Sequence, residues 1–437
     1  MKAKHGVVAM SKSTGGTYVA FVAYAVLFGK VFLANGLEQG IWIDGDGLRR
    51  LAEISEMSVY GIAAPDLGTA TAGYATVVHI VGVLLGTTTL WPIAMLQSAL
   101  FSFAVWYLAV GLRRTRIAWA MVPFAYLALL NPPLSLSSLA LSSDSVTASL
   151  LMIAIGQLLR DMATPRDART PRRILLSAGL LSLAALMAPM LALGGIVFLL
   201  SWAAARGNRE QAIWISSGAL ALLLALPLML LVRNQMANNS AMLPSSSAQM
   251  APVTSGFKDF DGSRCGIGSI DVVSLNVPKF RCLMSWYQEA SANTSEAAVP
   301  NAAAFWSPWV GPLAGAQLSD NPWPALHPAI MLSDASNPRS LWRSPAATVL
   351  SWLWLFAACA ALLTGWVALR GMGVLESELS AGAGWLVGGT WLAAILTSAD
   401  PSSRLPVMGP VLLLQLLGWR YMITRGRASS RDPFAPR

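Results

Sequence analysis

The stretch Ile41-Trp42-Ile43-Asp44-Gly45-Asp46-Gly47-Leu48-Arg49-Arg50-Leu51-Ala52-Glu53-Ile54 follows the first membrane-length apolar run, Thr17 to Leu33. Asp44 and Asp46 therefore lie on a glycine-containing turn at the edge of a bilayer, before an amphipathic helix expected over residues 47–57. Acidic side chains are costly beside hydrocarbon unless function needs them. The pattern predicts an enzyme in which one aspartate, preferably Asp46, deprotonates an acceptor hydroxyl while a lipid-linked substrate keeps its tail in the membrane.

The composition is typical of an all-α polytopic membrane protein. Of the 437 residues, 55% are apolar and 12% are charged, whereas about 25% of residues are charged in soluble domains. Several stretches approach the roughly 20 apolar residues that cross a bilayer as a helix. The net charge of +9 is spread over short loops between these stretches, which is typical of cytoplasmic loops. We therefore expect no nucleic-acid partner.

The basic clusters predict how the chain crosses the membrane. They are the N-terminus and residues 113–116, 160–173, 206–209, 370 and 420–437. With all of them in the cytoplasm, both termini lie inside and about ten transmembrane helices are expected, near residues 17–35, 92–112, 117–131, 141–159, 174–188, 190–205, 212–232, 346–370, 381–397 and 405–422. The first helix is interpreted as uncleaved, because no clean small-residue cleavage site follows it.

This topology divides the chain into four parts: a seven-helix catalytic module (1–232) whose first periplasmic loop is 36–91, a long periplasmic loop (233–345), a three-helix module (346–422) and a cytoplasmic tail (423–437). Residues 74–90 are also apolar enough to cross, but a crossing would place every later arginine cluster outside. We therefore expect a helix that lies in the outer interface or dips partway into the membrane.

Further polar residues lie at the predicted outer boundary. Asp144 follows the turn Asn131-Pro132-Pro133 and opens a helix with Ser143, so either residue is a candidate cap and Asp144 is also a candidate site residue. Arg233 and Arg404 are placed where a guanidinium fork can bind a donor phosphate. The alternative for both arginines is snorkelling toward lipid head groups.

Arg50 and His79 are weaker candidates. Arg50 can contact the donor phosphate, lipid head groups or Glu53. His79 lies on the interfacial segment facing the proposed cavity, where it either supports the acceptor or has a structural role. Cys265 and Cys282 share the long loop, and an extracytoplasmic location predicts a disulfide between them.

The paired acids have two other interpretations. An aspartate before a helix is a preferred N-cap, and one of Asp44 and Asp46 fits that role. Two acids one residue apart can also hold a divalent ion. The chain contains no P-loop, dinucleotide fingerprint, HExxH motif or nucleophile elbow, which fits a sugar donor carried on lipid better than one carried on a nucleotide.

At these positions the chain resembles the GT-C superfamily of membrane glycosyltransferases, which use polyprenyl-phosphate sugars. Asp46 followed by Arg50-Leu51-Ala52-Glu53-Ile54-Ser55 is similar to a pattern of the bacterial mannosyl-, arabinosyl- and aminoarabinosyl-transferases. The other similar elements are Gly73-Tyr74-Ala75-Thr76-Val77-Val78, Asn131-Pro132 with Ser143-Asp144, Arg233-Asn234 and Ser403-Arg404-Leu405-Pro406. The layout is similar too, with seven conserved spans, two juxtamembrane helices in the first outside loop (candidates 47–57 and 74–88) and a long outside loop after the seventh span.

The resemblance implies a GT-C fold and a single displacement with inversion. Asp46, or Asp44, takes the proton of the acceptor hydroxyl, and Arg404, Arg233 or Arg50 stabilises the polyprenyl phosphate that leaves. The implied partners are a polyprenyl-phosphate-linked sugar, membrane lipid, and an acceptor that is a glycan, a glycolipid or a protein such as a pilin. No metal is required, although a divalent ion stays open. The implied location is the bacterial inner membrane, with a periplasmic site.

Two departures from the family and two other function classes bear on this prediction. Ala188-Pro189 stands where the family often has a basic residue, and the second juxtamembrane element lacks its usual proline. Both departures bear on which type of donor is used more than on the fold. An oligosaccharide ligase or polymerase with a pyrophosphate-linked carrier would also use outside arginines. A transporter of lipid-linked saccharide would need polar residues at mid-membrane, whereas most of those here are expected at the outer face.

Overall fold

The computed structural model describes residues 3–36, 41, 54, 72–86, 90–165, 169–205, 209–238, 345–396 and 401–425. The regular elements in these ranges are all helical. The α-helices are α1 (Ala3–Asn35), α2 (Ala72–Leu85), α3 (Trp91–Leu112), α4 (Met121–Leu129), α5 (Pro132–Leu136), α6 (Asp144–Met162), α7 (Arg172–Met187), α8 (Leu191–Ala204), α9 (Arg209–Asn238), α10 (Pro345–Arg370), α11 (Val374–Leu396) and α12 (Met408–Arg425). Short 3-10 helices cover Ala118–Ala120, Ser137–Leu139 and Pro401–Val407.

Five helical segments in these ranges are long and apolar enough to cross a membrane: Gly15–Asn35, Trp91–Leu112, Asp144–Met162, Glu210–Met229 and Arg404–Thr424. Four others are apolar but shorter: Gly73–Leu85, Ala118–Leu129, Leu191–Ala204 and Phe356–Arg370. Helices are expected in such a sequence because lipid offers the backbone no hydrogen-bond partners. The chain is thus an α-helical protein with several candidate membrane spans. Each of the ten predicted spans falls on a helix, and the full ten-span arrangement stays a prediction.

The arginine-bearing loops meet at one end of the helical bundle. We call this end, formed by residues 113–119, 160–165, 169–173, 370–376 and 420–425, the basic end. The backbone N–H of Arg116, after α3, donates to Glu376 Oε1 at the start of α11, at 2.6 Å. The guanidinium of Arg420, near the end of α12, lies 3.7 Å from the centroid of the Trp119 ring. Loops far apart in sequence therefore lie on the same side of the bundle, as the arginine pattern predicts.

The opposite end carries the buried serines together with Asp144, His79 and Arg404. We call it the polar-loop end, formed by the last turns of α1 and residues 72–86, 90–98, 131–144, 186–191 and 401–404. Helix α2 begins here in close contact with α7, because a Cβ on Gly73 would lie 2.0 Å from the Leu186 carbonyl oxygen. Only residues 86–90 connect α2 to Trp91, and five residues reach about 18 Å. Helix α2 therefore does not run through the bundle to the basic end.

Glycines allow two pairs of helices to approach closely. Where α8 crosses α11, a Cβ on Gly389 would lie 2.5 Å from Gly194 Cα. Where α10 crosses α12, a Cβ on Gly418 would lie 1.7 Å from the Ala361 carbonyl oxygen. Small residues at such crossings let backbones pack directly, which is a main source of helix association in membranes. The first crossing joins α11 to the N-terminal bundle, and the second packs α10 on α12, the helix that follows the turn with Arg404.

Candidate functional site at the polar-loop end

The segment 131–144 joins α4 to α6 and carries buried serines. Asn131 Oδ1 accepts a hydrogen bond from the backbone N–H three residues later, at 3.0 Å, where α5 begins. The hydroxyls of Ser137 and Ser138 donate to backbone carbonyls three residues earlier, at 2.7 and 2.8 Å. These local bonds satisfy carbonyl groups that would otherwise be buried without partners. The segment is therefore folded by its own side chains rather than being an open loop.

Lys30 of α1 is the most unusual charge near this segment. Its side chain is 3% exposed, and its Nζ donates to Ser138 Oγ at 2.8 Å. The same Nζ lies 4.4 Å from the centroid of the Phe101 ring on α3. Among the described residues no carboxylate pairs with Lys30. The lysine thus joins α1, α3 and the serine segment through one hydroxyl and one aromatic ring.

Two residues of α3 extend this network. Ser98 Oγ lies 3.1 Å from Ser138 Oγ. The Gln97 amide hydrogen-bonds to the Tyr74 hydroxyl on α2. When the amide is oriented so that its oxygen accepts this bond, the amide nitrogen donates to the carbonyls of Ser138 and Ala140, at 3.2 Å each. Buried polar groups are expected to be satisfied in this way. The network fixes α2, and hence the predicted site residue His79, relative to the serine segment.

Asp144 is the first residue of α6 and is half-buried. Ser142 Oγ donates to Asp144 Oδ2 at 3.0 Å, and the Asp144 backbone N–H donates to Ser142 Oγ at 3.1 Å. A carboxylate in the first helical turn is stabilised by the helix dipole. Ser143, the other candidate cap, has helical backbone angles and its hydroxyl makes no capping bond. The carboxylate of Asp144 therefore stabilises this helix start, with Ser142 holding its orientation.

Arg404 lies inside the protein, with 5% of its side chain exposed. It belongs to the 3-10 helix Pro401–Val407, which packs against α6, α11 and α12. The Cys359 thiol of α10 lies close enough to interact with the guanidinium electrostatically. A buried arginine is expensive unless it binds something, which disfavours snorkelling to head groups. The predicted helix start at residue 405 is a 3-10 turn instead, and α12 begins at Met408.

The other predicted site residues are only partly visible. Asp44, Asp46, Arg50, Cys265 and Cys282 lie outside the described residues. Arg233 lies in α9 near its C-terminal end, and its side chain is outside the described part. His79 is half-buried on α2.

The residues that flank the paired acids are placed. Ile41 is 3% exposed and belongs to the hydrophobic core, and Ile54 packs against the same core. Both ends of the segment with Asp44 and Asp46 therefore lie on the bundle.

The polar-loop end thus collects Lys30, Asp144 and Arg404, together with His79 on α2. Lys30 was missed by sequence reasoning, although a charge inside an apolar run is a recognisable signal. A buried guanidinium beside a helix start can hold a phosphate through paired N–H donors. Within the described residues, no three His, Cys, Asp or Glu side chains come together as a metal site.

No family model matches the chain, and neither a curated protein nor a solved structure is significantly similar to it.

Proposed function

We propose that the chain is an integral-membrane glycosyltransferase of the GT-C type. It moves a single sugar from a polyprenyl-phosphate carrier to an acceptor hydroxyl at the extracytoplasmic face. Asp46, or Asp44, is the general base, and Arg404 is the main ligand of the donor phosphate. Arg233 and Arg50 support the phosphate, while Asp144 and His79 support the acceptor. The enzyme works in the bacterial inner membrane.

The burial of Arg404 is the observation that carries the proposal. Its guanidinium is always charged and its side chain is 5% exposed, so water screens the attraction between it and an anionic ligand much less than at a surface. Arg404 lies at the polar-loop end, on a 3-10 turn packed against α6, and Ile41 and Ile54, which flank the predicted acidic turn in the sequence, pack on the hydrophobic core. The opposite end carries the arginine loops, as a cytoplasmic face does. An anionic lipid-linked donor fits this charge distribution.

The proposed reaction balances without a further reactant. The aspartate carboxylate takes the proton of the acceptor hydroxyl as that oxygen bonds to the anomeric carbon from the side opposite the phosphate. The bond between the anomeric carbon and the phosphate oxygen breaks, and the electron pair leaves with polyprenyl phosphate. The guanidinium of Arg404 stabilises the charge that develops on this leaving group. The configuration at the anomeric carbon inverts.

The test separates donor binding from transfer in the purified chain. Polyprenyl phosphate binding is measured in nanodiscs for the wild type, Arg404→Gln and Asp46→Asn, and transfer from polyprenyl-phosphate sugars is followed as released polyprenyl phosphate. We expect Arg404→Gln to weaken binding about 10- to 100-fold, since a charged hydrogen bond contributes about 1.5–3 kcal/mol. Asp46→Asn should bind normally and transfer nothing, while Asp44→Asn identifies which acid is the base.

Arg404→Lys controls for folding, because it keeps the buried positive charge and loses only the bidentate hydrogen-bond geometry of the guanidinium. Unchanged affinity in Arg404→Gln would refute the phosphate role, and normal turnover in Asp46→Asn and Asp44→Asn would refute the base. Preference for a polyprenyl pyrophosphate-linked oligosaccharide would indicate the ligase or polymerase class instead. Movement of intact lipid-linked saccharide across the bilayer, without transfer, would indicate a transporter.

A further inference from the structure

Arg160, at the basic end, is not used by the proposed reaction. It lies near the C-terminus of α6, and its guanidinium stacks 3.4 Å from the centroid of the Tyr107 ring on α3. Its Nη1 donates to the Gly156 carbonyl and its Nη2 to the Tyr107 carbonyl, each at 2.9 Å. A guanidinium has five N–H donors. The described residues accept two of these, so Arg160 is held in place with donors left to bind a ligand.

Two more arginines converge on this guanidinium. Thr164 Oγ1 donates to the Arg160 carbonyl at 2.8 Å and accepts a hydrogen bond from Arg173 Nη1 at 2.9 Å. Thr164 thus links the two arginines, because its hydroxyl bonds to the Arg160 backbone and to the Arg173 side chain. Both Arg173 and the exposed Arg114 lie within electrostatic range of Arg160. We call Arg114, Arg160 and Arg173 the arginine cluster.

The arginine cluster lacks acidic partners in the described part of the chain. No carboxylate there forms an ion pair with any of its three members, whereas the neighbouring Arg169 lies within electrostatic range of Glu378. Arg173 also occupies the first turn of α7, which holds no acidic residue and whose N-cap position, Pro171, supplies no capping side chain. Positive side chains at this end of a helix oppose its dipole. An anion in the cluster would relieve both repulsions.

The surface beside the cluster is aromatic and faces outward. Phe103 is 46% exposed, and its ring centroid lies 5.7 Å from that of Trp106 and 5.5 Å from that of Tyr107. Aromatic side chains of this kind are enriched at the level of lipid head groups. On α7, Leu176 lies one helical turn from Arg173 and is 49% exposed. A ligand bound by the three guanidinium groups would therefore contact exposed aromatic and aliphatic side chains on the side of the cluster that faces the middle of the bundle.

We propose that the arginine cluster binds the phosphate group of an anionic phospholipid whose acyl chains lie along Phe103 and Leu176. A lipid fits better than a free ion because the site combines positive charge with exposed apolar surface at one boundary. The proposal does not depend on the transferase activity, because the cluster lies at the opposite end of the bundle from Arg404.

The experiment measures lipid binding to the full chain. Purified protein in mild detergent is titrated with phosphatidylglycerol or with phosphatidylcholine of the same acyl chains, and bound lipid is counted by native mass spectrometry. We expect Arg114→Gln/Arg173→Gln to weaken phosphatidylglycerol binding about 30-fold, since each basic residue at an anionic surface contributes about 1 kcal/mol. Phosphatidylcholine binding should not change.

Arg370→Gln is the matched control, because Arg370 is exposed at the same end and stacks on Trp366 outside the cluster. It should bind phosphatidylglycerol like the wild type. If the double variant does not fold, Arg114→Gln and Arg173→Gln measured singly should each weaken binding about fivefold. Wild-type affinity in these variants, or an equal loss in Arg370→Gln, would overturn the proposal. Displacement of the lipid by inorganic phosphate at equal concentration would show a site for free phosphate instead.

Discussion

At the scale of single residues, Lys30 and Ser138 form the pair whose energetics are most unusual. The buried ammonium of Lys30 has one hydrogen bond, to Ser138 Oγ at 2.8 Å, and one ring contact, to Phe101. A hydrogen bond to a charged group contributes about 1.5–3 kcal/mol, and a desolvated cation–π contact about 2 kcal/mol. Removing an ammonium from water costs more than either contribution. The lysine is therefore tolerated only while Ser138 Oγ accepts its hydrogen bond.

The first prediction follows from that dependence. Ser138→Ala in the wild-type background should destabilise the protein by about 2–3 kcal/mol, because it removes the acceptor of a buried charge. In a Lys30→Met background the same change should cost only about 1 kcal/mol, since no charge is then left without an acceptor. Thermal unfolding midpoints of the four proteins in detergent give the coupling energy.

Ser137→Ala serves as the control for this cycle. Ser137 is buried in the same segment, and its hydroxyl donates to the Leu134 carbonyl rather than to the lysine. Its removal should lower the midpoint equally in both backgrounds. If Ser138→Ala also behaves identically in both, the bond between Lys30 and Ser138 contributes nothing to stability.

Sequence reasoning selected residues whose charge lies beside a local structural signal, and it missed those whose partner is distant in sequence; the role of Arg404 stays a prediction. Arg404 drew attention because two prolines flank it, and the structure buries it. Lys30 and Ser138 are 108 residues apart, so no local pattern links them. Of the two candidate caps, Ser143 has helical backbone angles and its hydroxyl makes no capping bond, whereas Asp144 lies in the first turn of the helix.

At the scale of elements, periodicity and apolar length located the helices, while helix contacts could not be predicted. Each expected span falls on a helix, although α1 and α11 begin 14 and 7 residues before the spans expected at 17 and 381, because a lipid environment leaves the backbone few alternatives. The start of α12 differed: Pro406 lies in the 3-10 helix Pro401–Val407, and proline disfavours an α-helical residue before it. Which glycines contact another helix depends on rotation about each axis, which the sequence alone does not specify.

The adjacent glycines of α11 give a prediction at this scale. A Cβ on Gly389 would lie 2.5 Å from Gly194 Cα, whereas one on Gly388 meets nothing within 4 Å. Gly389→Ala should therefore push α8 and α11 apart and destabilise the protein by about 1–3 kcal/mol. Gly388→Ala should be neutral or stabilise by about 0.5–1 kcal/mol, since alanine restricts the unfolded chain more. Thermal unfolding compares the two, and equal midpoints would show that the crossing does not depend on close backbone contact.

At the scale of the whole molecule, the two ends of the bundle differ in the charges they hold. The basic end combines the arginine cluster with Arg116 and Arg420, and the polar-loop end holds the serine network, Asp144 and Arg404. The sequence predicted this separation from the spacing of arginines between apolar runs. It could not predict that Arg404 is buried, because that depends on tertiary contacts between segments far apart in the chain.

The last prediction tests which face each end occupies. In a chain with its three cysteines replaced by serine, single cysteines are introduced at Leu130, 60% exposed at the polar-loop end, and at Pro171, exposed at the basic end. A membrane-impermeant maleimide should label Leu130→Cys from outside intact cells and Pro171→Cys only in inverted vesicles. Tyr24→Cys, 67% exposed in the middle of the first candidate span, should stay unlabelled from both sides because the reagent does not enter hydrocarbon. Labelling of Leu130→Cys and Pro171→Cys from the same face would refute the separation of the two ends across the membrane. Labelling in the reverse sense would keep the fold and move Arg404 to the cytoplasmic face, where the proposed extracytoplasmic transfer cannot take place.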